Sequence, residues 1–182
     1  MRLPEKVLEG DVLLKYQQQH CTMTLREGIE EFHNYLMALD RKVMMDSSTS
    51  RLLLEHDATH VIFGMDTSLE QEAGLDSWLL WGCQWRLSYI RKYGKLPEIK
   101  ALYRAFVKEL GWAFFPRLLW RTRKLKWRVI KRSRSMSKKW PYQFPEPWLD
   151  KPINELRHEH GLTILNEEER WAGEPLAWSG HY

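Results

Sequence analysis

Residues 51–64 read RLLLEHDATHVIFG. No proline interrupts the run, apolar residues dominate it, and Gly64 stands where a left-handed C-cap is favoured, so the pattern predicts a helix from about Arg51 to Phe63. At 100° per residue, His60 lies about 40° from His56 around that helix and Asp57 about 100°, which puts the three side chains in one sector. Two imidazoles and a carboxylate can then face one point. Beyond Gly64 the chain can turn back, and Thr67 with Glu70 has the spacing of a capping box, which places Glu72 in the first turns of the next helix, on the far side of that point. His56, Asp57, His60 and Glu72 together supply two imidazoles and two carboxylates, a donor set that suits zinc or another divalent first-row ion.

The His spacing is that of the metalloprotease H-E-x-x-H helix, with Asp57 in the place of the glutamate. Asp57 is one methylene shorter and reaches less well toward a metal-bound water as a general base, so proteolysis is disfavoured. A His pair four residues apart is weak by itself and needs no function on an exposed helix face. Asp57 and Glu72 sharpen it.

Outward from this stretch, helical periodicity continues in both directions. Thr24 and Glu27 have capping-box spacing, and Leu25, Ile29, Phe32, Leu36 and Leu39 recur at steps of four and three, which predicts an amphipathic helix. Asp46 to Ser50 is polar and turn-like. From Thr67 a longer helix is expected through Trp78, Leu79, Cys83 and Ile90 to Tyr93 and Gly94, and Pro97 opens another whose stripe is Ile99, Leu102, Phe106 and Leu110, ended by Gly111. Helix continues after Pro116 and dissolves at Ser133 to Ser137. Residues 140–148 (WPYQFPEPW) carry three prolines, which predicts an extended aromatic strap lying on the surface. A short helix over Pro152 to His160 and an acidic tail at Glu167 to Glu169 follow. With no repeat and no strand-period segment long enough for a sheet, the expectation is an all-α chain: one compact helical domain over 1–182, with metal-motif helices at 51–111, a basic segment at 117–139, and the strap with its short helix at 140–161.

Composition narrows the function classes. Of 182 residues, 43% are hydrophobic and 13% aromatic, too rich for disorder, and ten Trp imply large apolar surfaces that are buried or used. Two cysteines, Cys21 and Cys83, are too few for a disulfide framework or a cysteine zinc site, which points to a reducing compartment. No run approaches the ~18–20 apolar residues of a membrane span. The stretch MRLPEKVLEG at Met1 to Gly10 mixes acids and a proline where a signal peptide would be apolar, so the expected location is cytoplasmic, at most peripheral to a membrane.

The net charge of +4 divides unevenly, because eleven Lys and Arg and no acid lie between Arg117 and Lys139, leaving −7 on the rest of the chain. Leu118, Leu125, Val129, Trp120 and Trp127 make this belt a basic amphipathic segment. Such a segment suits an anionic membrane surface, where Trp settles at the interface and each cation adds up to about 1 kcal/mol. The same residues could bind RNA or single-stranded DNA, but no nucleic-acid motif accompanies them and the acidic remainder would repel phosphate, so nucleic acid is disfavoured. The plain alternative is a core helix whose basic face pairs with the protein's own acids, such as Glu167 to Glu169. Trp81, Trp85 and Trp112 read as core or as the lining of an apolar pocket. His158 and His160 lie about 200° apart on a helix and read as surface residues.

The spacing H-D-x-x-H, eleven residues, Glu, with Val61 and Gly64 after the second His, resembles the signature of the coenzyme Q (ubiquinone) biosynthesis protein 4 family. A second segment, Trp148-Leu149-Asp150-Lys151-Pro152-Ile153-Asn154-Glu155-Leu156-Arg157, resembles that family's C-terminal strap leading into a P-L-D-E-x-R helix. The similarity covers roughly 51–111 and 140–161. Gln71 replaces the usual Gly before the matched Glu, and Leu75-Asp76-Ser77-Trp78 replaces the family's basic and aromatic residues; Asp76, one turn beyond Glu72, is read as solvated. The resemblance implies a helical protein that binds a divalent metal, usually zinc, through His56, Asp57, His60 and Glu72. It implies association with membranes and with other quinone-biosynthesis proteins. It also implies removal of the C1 carboxylate from a polyprenylated 4-hydroxybenzoate-type ring, alone or coupled to C1 hydroxylation. The rival from another class is a non-catalytic lipid-binding or scaffold protein with a structural metal. A set of His and carboxylate without Cys looks more like an exchangeable site than a closed structural one, which favours catalysis.

Overall fold

The computed structural model describes residues 13–41, 43, 51–84, 94–173 and 176. Helix α1, Leu25–Ala38, begins at the expected cap: Thr24 Oγ1 accepts from Glu27 N and the Glu27 carboxylate accepts from Thr24 N, at 3.2 and 2.8 Å. Its buried face is Leu25, Ile29, Phe32 and Tyr35. Helix α2, Leu52–Phe63, is buried almost all round and stops at Gly64, whose φ of +68° is the left-handed conformation that glycine adopts without strain.

Helix α3, Leu69–Gly82, starts differently from expectation. Ser68, not Thr67, is the N-cap residue, and the Thr67–Glu70 capping box does not form. The buried Asp66 carboxylate organises the turn instead, accepting from Ser68 N, Ser68 Oγ and Gln71 Nε2 at 2.8, 2.6 and 2.7 Å, while Gln71 Oε1 accepts from Asp66 N at 3.0 Å. Gln71 thus closes the turn that leads into α3. Glu70 is drawn away to the Arg121 guanidinium, 2.8 Å distant.

The same helix ends at Gly82, earlier than its apolar stripe suggests. Cys83–Gln84 (β1) leaves the helical path to pair in parallel with Trp140–Pro141 (β2). The expected continuation through Trp85, Ile90 and Tyr93, the turn at Asp46 to Ser50 and the opening Met1 to Gly10 lie outside the described residues. Pro97 opens α4, Pro97–Leu110, which Gly111 closes at φ +71°. The basic belt is two helices, α5 (Phe114–Arg121) and α6 (Arg123–Ser135). They break at buried Thr122, whose hydroxyl donates to Leu118 O at 2.7 Å. Helix α7, Ile153–Glu159, and the short α8, Glu167–Arg170, are the last helices among the described residues, with 3-10 turns at Lys15–Gln17 and Glu146–Asp150. The fold is all-α, and the two-residue pairing is the single sheet among the described residues.

Helix α2 is the centre, with α1 and α3 against it and α6 packed on the outside of α3. Gly74 permits that last approach, since a Cβ there would lie 3.1 Å from Leu125 Cδ2. Distant segments lace around the centre: Leu25 N donates to Lys151 O, Ile153 N to Met23 O and Asn154 N to Cys21 O, at 3.0, 2.8 and 3.0 Å. Arg157, fully buried, points its guanidinium at backbone carbonyls alone: Ile62 and Val61 at 2.9 Å, Tyr16 and Gln18 at 2.6 Å, and Gln19 at 3.4 Å. The two widely separated motifs of the sequence therefore touch, because Arg157 satisfies the last carbonyls of the helix that carries His56 and His60.

Three placements correct the expectations. The strap is extended, but it is no surface ornament: Trp140, Tyr142 and Phe144 alternate into the core, and Trp140 is fully buried. Its period-two alternation, not its prolines, decides which face is inside. His160 is buried, with Nδ1 on Leu156 O at 2.7 Å and its ring against Trp140 and Trp148; His158 is exposed. Trp81 and Trp112, read as core or pocket lining, are 48% and 75% exposed, so neither is core. In the belt, Leu125, Val129 and Ser133 face inward, and Arg132 and Arg128 bind the Glu169 carboxylate and carbonyl at 3.0 and 2.7 Å. Its other face presents Leu119, Trp120 and Trp127 to solvent. No described helix is long and apolar enough to cross a membrane.

Candidate metal centre

The α2–Gly64–α3 reversal brings the first turns of α3 against the middle of α2. His56, His60 and Glu72 each place one ligand atom within 4.8 Å of the others. His60 is fully buried. Its ring lies flat on Phe32 of α1, centroids 4.6 Å apart, and meets His56 edge-on at 5.0 Å. Its Nδ1 is 3.3 Å from Met65 O, which assigns the proton to that nitrogen. Nε2 is then a bare lone pair, 3.4 Å from Glu72 Oε1 and without a hydrogen bond.

Asp57 stands beside this trio. Its Oδ2 is 2.8 Å from Nε2 of His33, on α1, and its Oδ1 is 3.7 Å from His56 Nδ1. Of the four residues read as ligands from the sequence, the fold therefore gathers three at one point and turns the fourth toward His33. His33 belongs to no motif in the sequence. Its one signal is position, four residues after Ile29 and next to Phe32, at the edge of the buried face of α1.

Electrostatics follow from burial and from these neighbours. Burial, with the charge of His56, lowers His60 to about 3, so it is a neutral imidazole. Burial pushes Glu72 up to about 8, the carboxylates of Asp76 and Asp66 adding to it against the opposing pull of His56. The Glu72 side chain nevertheless stays 37% accessible, which makes it the open side of the centre. Burial works against a charged His56, yet Asp57, Glu72 and Asp76 outweigh it and hold His56 above its ordinary value. For Asp57, burial is outweighed by its contacts with His33 and His56, and the carboxyl is held below the usual range. Asp76 is exposed, and Tyr103 of α4 is raised by partial burial and by the charges of Asp76 and Glu72.

The residues fit a divalent cation. A buried imidazole nitrogen without a proton or a partner costs about 1–3 kcal/mol of uncompensated desolvation, and a cation would repay it. The second nitrogen of the same ring is held by a backbone carbonyl, as metal-bound imidazoles usually are. A cation would also remove the penalty on an ionised Glu72 and suit the neutral form of His60. No family model, curated protein or solved structure matches the chain.

Proposed function

We propose that this chain holds a divalent metal, with zinc the first expectation, and acts on a prenylated hydroxybenzoate-like ring at a membrane surface, releasing the C1 carboxylate as carbon dioxide. The observation that carries the metal reading is His60 Nε2, buried, unpaired and aimed at Glu72 in a trio with His56. The ring and the reaction rest on the resemblance of 51–111 and 140–161 to the coenzyme Q biosynthesis protein 4 family, and the Arg157 clamp supplies a physical reason for those two segments to occur together.

When bound, the metal supplies Lewis acidity toward the oxygens of an aromatic acid. The chain's own part is to hold and to shield. Phe32 and the walls of α1 and α2 keep water from His60, and the accessible side at Glu72 leaves an approach for a ligand. Decarboxylation needs no oxidant. The bond from C1 to the carboxylate breaks, its electron pair passes into the ring, and a proton from water ends at C1.

The exposed face of α5 and α6 supports the membrane surface as partner. Leu119, Trp120 and Trp127 line a shallow groove with Arg123 and Lys126, and Arg123 stacks on Trp120 at 4.0 Å, so apolar bodies and cations alternate along it. The same face favours the second reading, a non-catalytic protein that presents a prenyl lipid or organises quinone-biosynthesis enzymes around a structural metal.

Metal analysis of the purified chain tests the centre. One equivalent of divalent metal in wild type and none in His60→Ala is expected; metal-free wild type refutes the site. Carbon dioxide release from prenylated hydroxybenzoates then separates the two readings, because silence across several ring substitutions, with metal bound, leaves the scaffold.

A further inference from the structure

Asp57 neighbours His56 in sequence and was the fourth expected ligand, but its two oxygens are otherwise engaged. One accepts from His33 Nε2 at 2.8 Å, and the other faces His56 Nδ1 at 3.7 Å. Both groups are largely enclosed, with 23% of the His33 side chain and 15% of the Asp57 side chain accessible. His60 is treated the same way by a different acceptor, its Nδ1 facing Met65 O at 3.3 Å. His60 thus has an oxygen at Nδ1 and its lone pair at Nε2, and an Asp57 carboxylate oxygen likewise stands on the Nδ1 side of the His56 ring.

Resting on the metal reading above, we propose that the centre is held by His56, His60 and Glu72, that Asp57 is a positioning residue for His56, and that His33 fixes Asp57 in that role. Three protein ligands leave a position for water or a ligand oxygen, as open centres do. The chain His33, Asp57, His56 runs from α1 into α2, so the packing of those helices sets the orientation of the first imidazole. Outer carboxylates of this kind typically contribute 10–100-fold in metal affinity. Asp57→Asn is the sharper probe. Its carbonyl can still accept from His33, but its amide presents N–H groups to His56 Nδ1, which favours the tautomer with the proton on Nε2.

The test uses the full chain loaded with zinc in competition with a chromophoric chelator, and with cobalt(II), whose visible bands report ligand number and type. In His33→Ala and Asp57→Asn one metal should still bind, about tenfold to a hundredfold more weakly, with cobalt band shapes like those of wild type. His33→Gln, which keeps an N–H donor for Asp57, should restore most of the affinity. It also serves if His33→Ala folds poorly, with far-ultraviolet circular dichroism of the metal-free variants as the control. Affinity of His33→Ala within twofold of wild type overturns the proposal, as does an Asp57→Asn cobalt spectrum showing loss of a directly bound carboxylate. Wild type that binds neither metal overturns the metal reading, and with it this inference, by a different result.

Discussion

Replacing Arg157 with Met keeps most of the volume of the side chain and removes every donor. Five carbonyls receive the guanidinium, but Val61 O and Gln18 O also accept from Gly64 N and Cys21 N, at 3.3 and 3.2 Å. Counting only Ile62 O and Tyr16 O as losing their partner, at about 1–3 kcal/mol for each buried group left unsatisfied, gives about 2–6 kcal/mol. Against this stands relief from burying the cation, a real cost, since burial already lowers the Arg157 pKa to about 9. A net loss of about 3 kcal/mol is expected, equivalent to roughly 6–12 °C in Tm for a chain of this size. Arg157→Lys keeps a charge but reaches fewer carbonyls and should fall in between. Urea unfolding followed by circular dichroism at 222 nm, on metal-free protein, measures it. If Arg157→Met lies within 0.5 kcal/mol of wild type, the carbonyls find other donors and the clamp is not what holds α2 to the loop at 16–19.

Gly28→Ala should destabilise by about 1–3 kcal/mol despite its better helix propensity, because the new Cβ would lie 2.6 Å from Val61 Cγ1 and 2.8 Å from Ile153 Cδ1; a thermal melt as high as wild type would show that α1 and α2 can separate freely. Liposome flotation with 30% anionic lipid should recover wild type but markedly less of the double variant Trp120→Ala with Trp127→Ala, and high salt should weaken both; equal recovery of the two proteins would remove the α5–α6 face as the contact.

What was legible in the sequence was local. The cap at Thr24, the stop at Gly64 and the angular relation of His56 to His60 depend on residues within one or two turns, and they stand as the spacing required. Partners chosen across the fold were not legible. Asp57 shares a sector with His56 and His60 while α2 is considered alone, and only the fold shows that α1 sets His33 2.8 Å from its carboxylate. The prolines of the strap announce extended backbone, but only the burial of Trp140, Tyr142 and Phe144 tells which edge faces inward. His160 shares a helical face with Ile153 and Leu156, a spacing that signals burial more strongly than the H-x-H pairing signals a surface. Trp112 stands in the turn between α4 and α5, where no periodicity applies, and Trp120 belongs to a helix with apolar residues on more than one side, so amphipathic spacing does not say which side gains a neighbour.

The lacing of 21–25 to 151–154 and the reach of Arg157 back to Val61 and Ile62 also govern timing during synthesis. Every proposed ligand, and His33 before them, has been added to the chain by residue 72, yet the clamp on the end of α2 lies 95 residues beyond Ile62. At about 5–20 residues per second that is an interval of roughly 5–20 s. Through it the donor groups exist on a helix whose last carbonyls and apolar flanks are still uncovered. A cation captured early would meet the donors before the walls of the centre arrive, whereas one added late would enter a finished shell only through its accessible side at Glu72. Metal supplied during translation and metal added afterwards are therefore different experiments on this chain.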